Sequence, residues 1–359
     1  MKTYLSSVAA SRDNNFNLLR FCAATGVFIS HTFLLSGMGF KSAAVVLGYV
    51  CVNAFFIISG FLVTKSLIDR ARISSFVLSR VLRIFPALIA AVLFSTVVVG
   101  LVFTELPKAE FLTSNNTHEY LLKNILLIIP GIPETLPGVF LNAANAIVNA
   151  PLWTLPYEIK MYLLLGILGG LILYRQSESA KTLFTIVFGF ITIVSMILYV
   201  TRYSLRADPI DLGIDYDYFR FSAMFGSGVL LYMLKEYIYL SGKIFFLLVC
   251  AILLSSFYRP LFVTVTYSSL CYLVIVLAYL PNGFIRKFNK IGDYSYGIYI
   301  YGYPVQQSIE QVWPDLHLLT YFAVTFGCTL LLSICSWHLL EKRMLRLKTK
   351  SKPLKAVAG

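Results

Sequence analysis

Charge is scarce in this sequence: Asp, Glu, Lys and Arg make up only 13% of its 359 residues, about half the ~25% typical of a soluble domain. So few charges cannot clothe this much chain in a water-facing surface, which excludes a cytosolic enzyme and an intrinsically disordered chain. Cysteine is no richer in information. Cys22, Cys51, Cys250, Cys271, Cys328 and Cys335 all lie in apolar stretches and none forms a CxxC pair, so neither a zinc site nor a disulfide framework is indicated. A Walker A loop, a dinucleotide-binding glycine pattern and a G-x-S-x-G elbow are missing, which argues against ATP-driven transport and serine-hydrolase chemistry. There is no fixed-period repeat. Residues 1–15 are polar, and the apolar run after them has no small-residue cleavage site, so no cleavable signal peptide is expected.

Hydrophobicity is abundant instead. Apolar residues make up 58% and aromatics 15%, and most of that surface must face lipid. The expected fold is all-α and polytopic. Runs long enough to cross lie near 16–36, 43–64, 84–103, 155–174, 183–200, 219–234, 244–257, 261–280, 294–312 and 318–340, which makes about ten transmembrane helices. The run Leu121–Ile132 ends in prolines and covers only about 18 Å as a helix, so it is expected to be re-entrant or interfacial.

The excess of 30 Lys and Arg over 17 Asp and Glu gives a net charge of +13. On a soluble protein it would point to nucleic acid; here no soluble domain exists to carry such binding. With the N-terminus inside, 21 basic residues fall on inner segments and 7 on outer ones, so both termini are expected in the cytoplasm. Residues 1–345 then form one membrane domain, and 346–359 a basic cytoplasmic tail against lipid headgroups. Segment 104–154 is the longest outer stretch, and 201–218 is short and acidic (Asp208, Asp211, Asp215, Asp217).

Ionisable groups within spans are costly and are functional candidates by default. Arg20 and His31 stand eleven positions apart in the first span. That is about 1100° of helix, which puts both on one face about 16.5 Å apart along the axis. A snorkelling Arg and a hydrogen-bonded core His would also account for them. Pro151-Leu-Trp153-Thr-Leu-Pro156-Tyr157-Glu158 brings a carboxylate into a span, at a depth similar to His31 under this topology. A carboxylate there would favour the imidazolium and orient the ring, as a general base requires. Lys160, two positions on, points elsewhere on the helix. Arg80 and Arg83 are three apart on one face, a suitable phosphate clamp or else ordinary inner-face anchors. Trp153 and Tyr157 suit stacking on a sugar ring, or a place in the interfacial aromatic belt. Asn53 and Ser59 lie in a Gly-containing second span, lining a cavity or packing helices. His118, His317 and His338 share no metal-ligand spacing with His31, and no metal is expected.

Arg20-x10-His31, Phe55-Phe-Ile-Ile-Ser-Gly-Phe61, Ser79-Arg-Val-Leu-Arg-Ile-Phe-Pro86, Leu152-Trp-Thr-Leu-Pro-Tyr-Glu158, Ile291-Gly-Asp-Tyr-Ser-Tyr-Gly-Ile-Tyr299 and Glu341, in this order, resemble the membrane-bound acyltransferase-3 family of bacterial O-acyltransferases. The likeness runs from about Asn14 to Leu345. It implies a ten-span inner-membrane enzyme that takes an acyl group, usually acetyl, from cytoplasmic acyl-CoA. The group passes to a hydroxyl of a surface glycan or its lipid-linked precursor at the outer face. No cofactor is permanently bound; acyl-CoA is a co-substrate. In this likeness His31, Arg20 and Glu158 are catalytic, Arg80, Arg83 and Arg20 hold CoA, and Trp153 and Tyr157 meet the sugar. Many members carry a His where this chain reads Tyr301-Gly302-Tyr303-Pro304. Some also carry a fused esterase-like domain, for which this chain has no residues, so it acts alone or hands its acyl group to a separate extracytoplasmic protein. The rival reading is a transporter or flippase of a glycan intermediate, which would need neither acyl-CoA nor release of CoA thiol. The acceptor sugar, the acyl chain and the oligomeric state are not encoded legibly.

Overall fold

The structure is a computed structural model that describes residues 3–37, 41–70, 73–127, 131–143, 145–172, 177–205 and 215–347. Asp208 and Asp211 of the acidic segment, the inner-segment residues Lys2, Arg72 and Arg175, and the tail from 348 onward lie outside these residues.

Helices stand at all ten expected positions among the described residues: α1 (Phe16–Leu35), α2 (Lys41–Arg70), α3 (Ile73–Leu93), α5 (Leu155–Ile172), α6 (Glu178–Leu205), α7 (Tyr216–Met233), α8 (Gly242–Ser255), α9 (Arg259–Tyr279), α10 (Ser295–Val312) and α11 (Leu318–Ser336). Between α3 and α5 comes the short α4 (Asn115–Leu126). Among the described residues, seven spans are long and apolar enough to cross a membrane, which makes the chain an all-α, multi-pass membrane protein. The three that fall short are α7, α8 and α10. Helix α8 has 14 residues, about 21 Å, and the others carry Asp217, Arg220, Gln306, Gln307 and Glu310.

Helix α3 starts eleven residues earlier than its apolar run suggests and continues through a π-helical turn, Phe94–Gly100, to Phe103. Helix α4 also differs from the expected 121–132 segment, of which residues 128–130 lie outside the described residues. The Ser114 hydroxyl accepts the Asn116 N–H and starts the helix early, and Leu127 ends it in the left-handed region at φ 56°. Its buried face holds Thr117, Tyr120 and Asn124, and burial pushes the Tyr120 phenol above its ordinary range.

The helices fall into two compact units. One comprises residues 1–23, 49–71 and 160–293; the other comprises 24–48, 72–159 and 294–359. In the first, two glycines set how closely α2 and α7 approach. A Cβ at Gly60 would lie 2.0 Å from the Phe225 carbonyl oxygen, and one at Gly228 would lie 2.2 Å from that of Ile57. Small residues at such crossings replace the hydrophobic drive that lipid removes. One turn along, Phe56 stacks on Phe221 at 4.1 Å. We expect Gly60→Ala to destabilise the fold by about 3 kcal/mol, read as a lower unfolding temperature in detergent. Gly189→Ala, whose Cβ would find only Leu230 at 4.0 Å, should be close to neutral in the same assay.

The N-terminal segment is tied to the end of α9 in the same unit. The Asn15 side chain donates to the Leu277 and Pro281 carbonyls at 3.1 and 2.8 Å. Arg286 donates to the Tyr279 carbonyl at 2.7 Å and to Asp13 at 2.6 Å. These cations and amides serve the carbonyls that a helix end leaves unpaired.

In the second unit, Pro304 inside α10 has no N–H for the carbonyl four residues back, that of Ile300. The Asn149 amide donates to that carbonyl instead, at 2.9 Å. The Thr154 hydroxyl lies 2.8 Å from the Tyr299 phenol. These two contacts fasten the 149–154 segment, and so the Trp153–Glu158 stretch, onto α10.

Candidate functional site

Helix α1 is unbroken from Phe16 to Leu35 and carries both Arg20 and His31. Arg20 belongs to the first unit and His31 to the second.

In the first unit Arg20 Nη1 donates to Asp293 Oδ2 at 2.9 Å, and the carboxylate is only 6% exposed. Gly292, at φ 137°, turns the chain just ahead of Asp293, a conformation that L side chains rarely adopt. Asp293 sits inside the Ile291–Tyr299 motif, but its partner was not legible: 273 residues separate the two. Also in this unit, the Ser59 hydroxyl lies 3.2 Å from that of Tyr162. Asn53 is fully buried, and neither its amide nitrogen nor its oxygen meets a hydrogen-bond partner among the described residues.

In the second unit His31 is half-buried. Its ring stands edge-on to Tyr303, with centroids 5.1 Å apart and planes at 88°. No hydrogen bond or ion pair joins His31 to a described residue, so the structure does not bring Glu158 into contact with it. Glu158 is half-buried in the first turn of α5. Lys160, by contrast, is exposed and stands 5.9 Å from the Tyr218 ring in the first unit. Trp153 and Tyr157, one helical turn apart, pack edge-to-face at 5.8 Å.

Around His31 the shell is tight. The Gln306 amide donates to the Phe28 carbonyl at 3.0 Å and to the Thr32 hydroxyl at 2.7 Å. The Tyr303 hydroxyl donates to Asn145 Oδ1 at 3.0 Å, and Gln307 donates to the Asn145 carbonyl at 2.7 Å. Gly302 explains its own departure from the common His. A Cβ there would lie 2.9 Å from the Phe28 ring, so a larger side chain fits only if Phe28 moves.

The basic pair of α3 is also embedded. Arg83 Nη1 stands 3.5 Å from Glu341 Oε2, a carboxylate only 1% exposed. Ser336 donates to the other oxygen of Glu341 at 3.2 Å. The guanidinium is 5.9 Å from the centroids of both Tyr296 and Trp337, within cation–π range. Arg80 Nε donates to Ser79 Oγ at 3.3 Å. Glu341 closes a π-helical turn, Trp337–Glu341. Glu341 is buried at the end of that turn. Such turns in α-helices often occur at functional sites.

A multi-pass helical protein that embeds a histidine and arginine–carboxylate pairs among its spans is equipped for chemistry at a membrane, and comparison with known proteins says which. Residues 13–338 match the acyltransferase-3 family, described as an acyltransferase domain, and the chain belongs to this family. Among curated proteins it is similar to the O-acetyl transferase of Shigella phage Sf6, 28% identical over 359 aligned positions that cover 95% of this chain and 98% of that protein. It is also similar to nodulation protein 10 of Rhizobium leguminosarum bv. viciae, 32% identical over 188 positions, 47% of each chain. No solved structure matches it.

Proposed function

We propose that this acyltransferase is an integral-membrane O-acyltransferase that moves an acyl group, acetyl by preference, from cytoplasmic acyl-CoA to a carbohydrate hydroxyl at the outer face of a bacterial inner membrane. All ten helices cross, with both termini in the cytoplasm and residues 1–345 forming one membrane domain. The observation that carries the reading is His31: a half-buried imidazole in a span, held by a ring contact, with no hydrogen bond to any described residue.

A neutral imidazole so placed is suited to accept a proton. The acceptor hydroxyl attacks the thioester carbonyl while its proton passes to His31. The tetrahedral intermediate collapses by breaking the C–S bond, and the imidazolium returns the proton to the departing CoA thiolate. The products are one ester and one CoA thiol. Glu158, near the start of α5 in the same unit, supplies negative potential that favours the imidazolium. Arg80 and Arg83 meet the CoA phosphates, with Arg83 oriented in advance by Glu341. Arg20, held by Asp293, offers a further cation along the path, and Trp153 and Tyr157 stack on the sugar.

The test uses purified protein in lipid with acetyl-CoA and an extract of the host's surface glycan. Free CoA thiol and glycan-linked acetyl ester should appear together in equal amounts. If neither appears and acetyl-CoA does not bind the folded protein, the proposal fails and a transporter takes its place.

A further inference from the structure

We propose that the groove between α4 and residues 133–141 and 146 binds the sugar residues of the acceptor that flank the reacting hydroxyl. The inference rests on the carbohydrate transferase reading above and names the place where specificity for the glycan is read.

The groove has a volume of about 430 Å³ and lies wholly within the second unit. Pockets of this size hold small ligands. Its lining includes Asn116, Glu119, Thr135, Pro137, Leu141 and Ala146. Asn116 and Thr135 are exposed residues whose side chains make no hydrogen bond to another described residue. Glu119 is paired with Lys123 at 2.6 Å, which neutralises its charge while leaving lone pairs for hydroxyl donors. Neutral donors and acceptors set against proline and leucine surface match a sugar, which presents hydroxyls on its edges and C–H groups on its faces. The charged side chain in the lining is the carboxylate of Glu119, already paired with Lys123, which favours hydroxyl groups over a phosphate.

The walls are fixed before a ligand arrives. The Asn124 amide donates to the carbonyls of Tyr120 and Pro133 at 2.9 and 3.0 Å. The Thr104 hydroxyl donates to the Pro137 carbonyl at 3.0 Å. Gly138 sits at φ +73°, where a Cβ would lie 2.8 Å from the Thr104 hydroxyl. The groove is also wired to the reacting centre. Ala146 lines it, the adjacent Asn145 accepts from Tyr303, and the Tyr303 ring packs on His31. The groove is therefore linked to the imidazole by contacts made entirely inside one unit.

The experiment measures equilibrium binding of short, de-esterified oligosaccharides cut from the host's surface glycan, without acetyl-CoA. Wild type is compared with Leu141→Trp, which fills the groove, and with Thr135→Val. Leu141 is 59% exposed, so its replacement leaves the fold intact, checked by unfolding temperature. We expect Leu141→Trp to weaken binding at least about tenfold and Thr135→Val by a smaller factor. Transfer assays should show a raised KM for glycan with KM for acetyl-CoA unchanged. Equal binding by wild type and Leu141→Trp, or no binding by wild type, would overturn the proposal. Binding that Leu141→Trp abolishes, in a protein that never consumes acetyl-CoA, would retire the transferase reading and leave the groove as a carbohydrate site.

Discussion

His31→Ala should reduce acyl transfer by about 10²–10⁴-fold, the range expected for loss of a general base, while the protein still inserts and folds. The reason lies in how the ring is held. His31 has no hydrogen bond to a described residue and contacts Tyr303 through its ring edge. Its removal therefore leaves no buried donor or acceptor stranded, and costs only an aromatic contact worth about 1 kcal/mol. Activity and stability should separate cleanly. The measurement is ester formation under saturating acetyl-CoA, alongside the unfolding temperature of the same preparation. A wild-type rate would remove His31 from the mechanism. Loss of rate accompanied by loss of fold would assign it a packing role.

Arg83→Leu should do the reverse and strike stability first. It takes from Glu341, 1% exposed, the guanidinium 3.5 Å away, an effect of about 3 kcal/mol for a buried pair broken on one side. Arg83 is itself 21% exposed, which keeps the effect towards the lower end of that range. The double variant Arg83→Leu/Glu341→Leu should recover most of the lost stability, because apolar replacement of a whole buried pair is often neutral. It should not recover affinity for acetyl-CoA if Arg83 meets the phosphates. Thermal unfolding and acetyl-CoA binding on the two single variants and the double variant read these roles apart. Full recovery of binding in the double variant would return Arg83 to a purely structural role.

The same residues show how far the chain could be read before its tertiary structure was known. Apolar runs located a helix at each of the ten expected positions, seven of them long and apolar enough to cross among the described residues, because a bilayer demands about 20 apolar residues wherever a chain crosses it. The run at 121–132 was found but misplaced: hydropathy does not register the Ser114 cap that starts the helix early or the Leu127 turn that ends it. Arg20, His31, Glu158, Arg80 and Arg83 stood out because an ionisable side chain in or beside a span is conspicuous at any depth. Their partners did not. Asp293 is 273 residues from Arg20 and Glu341 is 258 from Arg83, and no local rule selects one carboxylate among 17.

Periodicity and composition thus determined by themselves that this is a helical membrane protein, roughly where its spans run, and which polar groups they carry. Those are local properties, set by 1.5 Å of rise per residue and by the cost of a bare backbone in lipid. The tertiary structure decided which faces meet. It set Tyr303 against His31, moved Asn149 onto the carbonyl that Pro304 leaves vacant, and buried Glu341 at the end of a π-helical turn. Helical spacing says which residues share a face, but the neighbour that covers that face is chosen by packing across the whole chain.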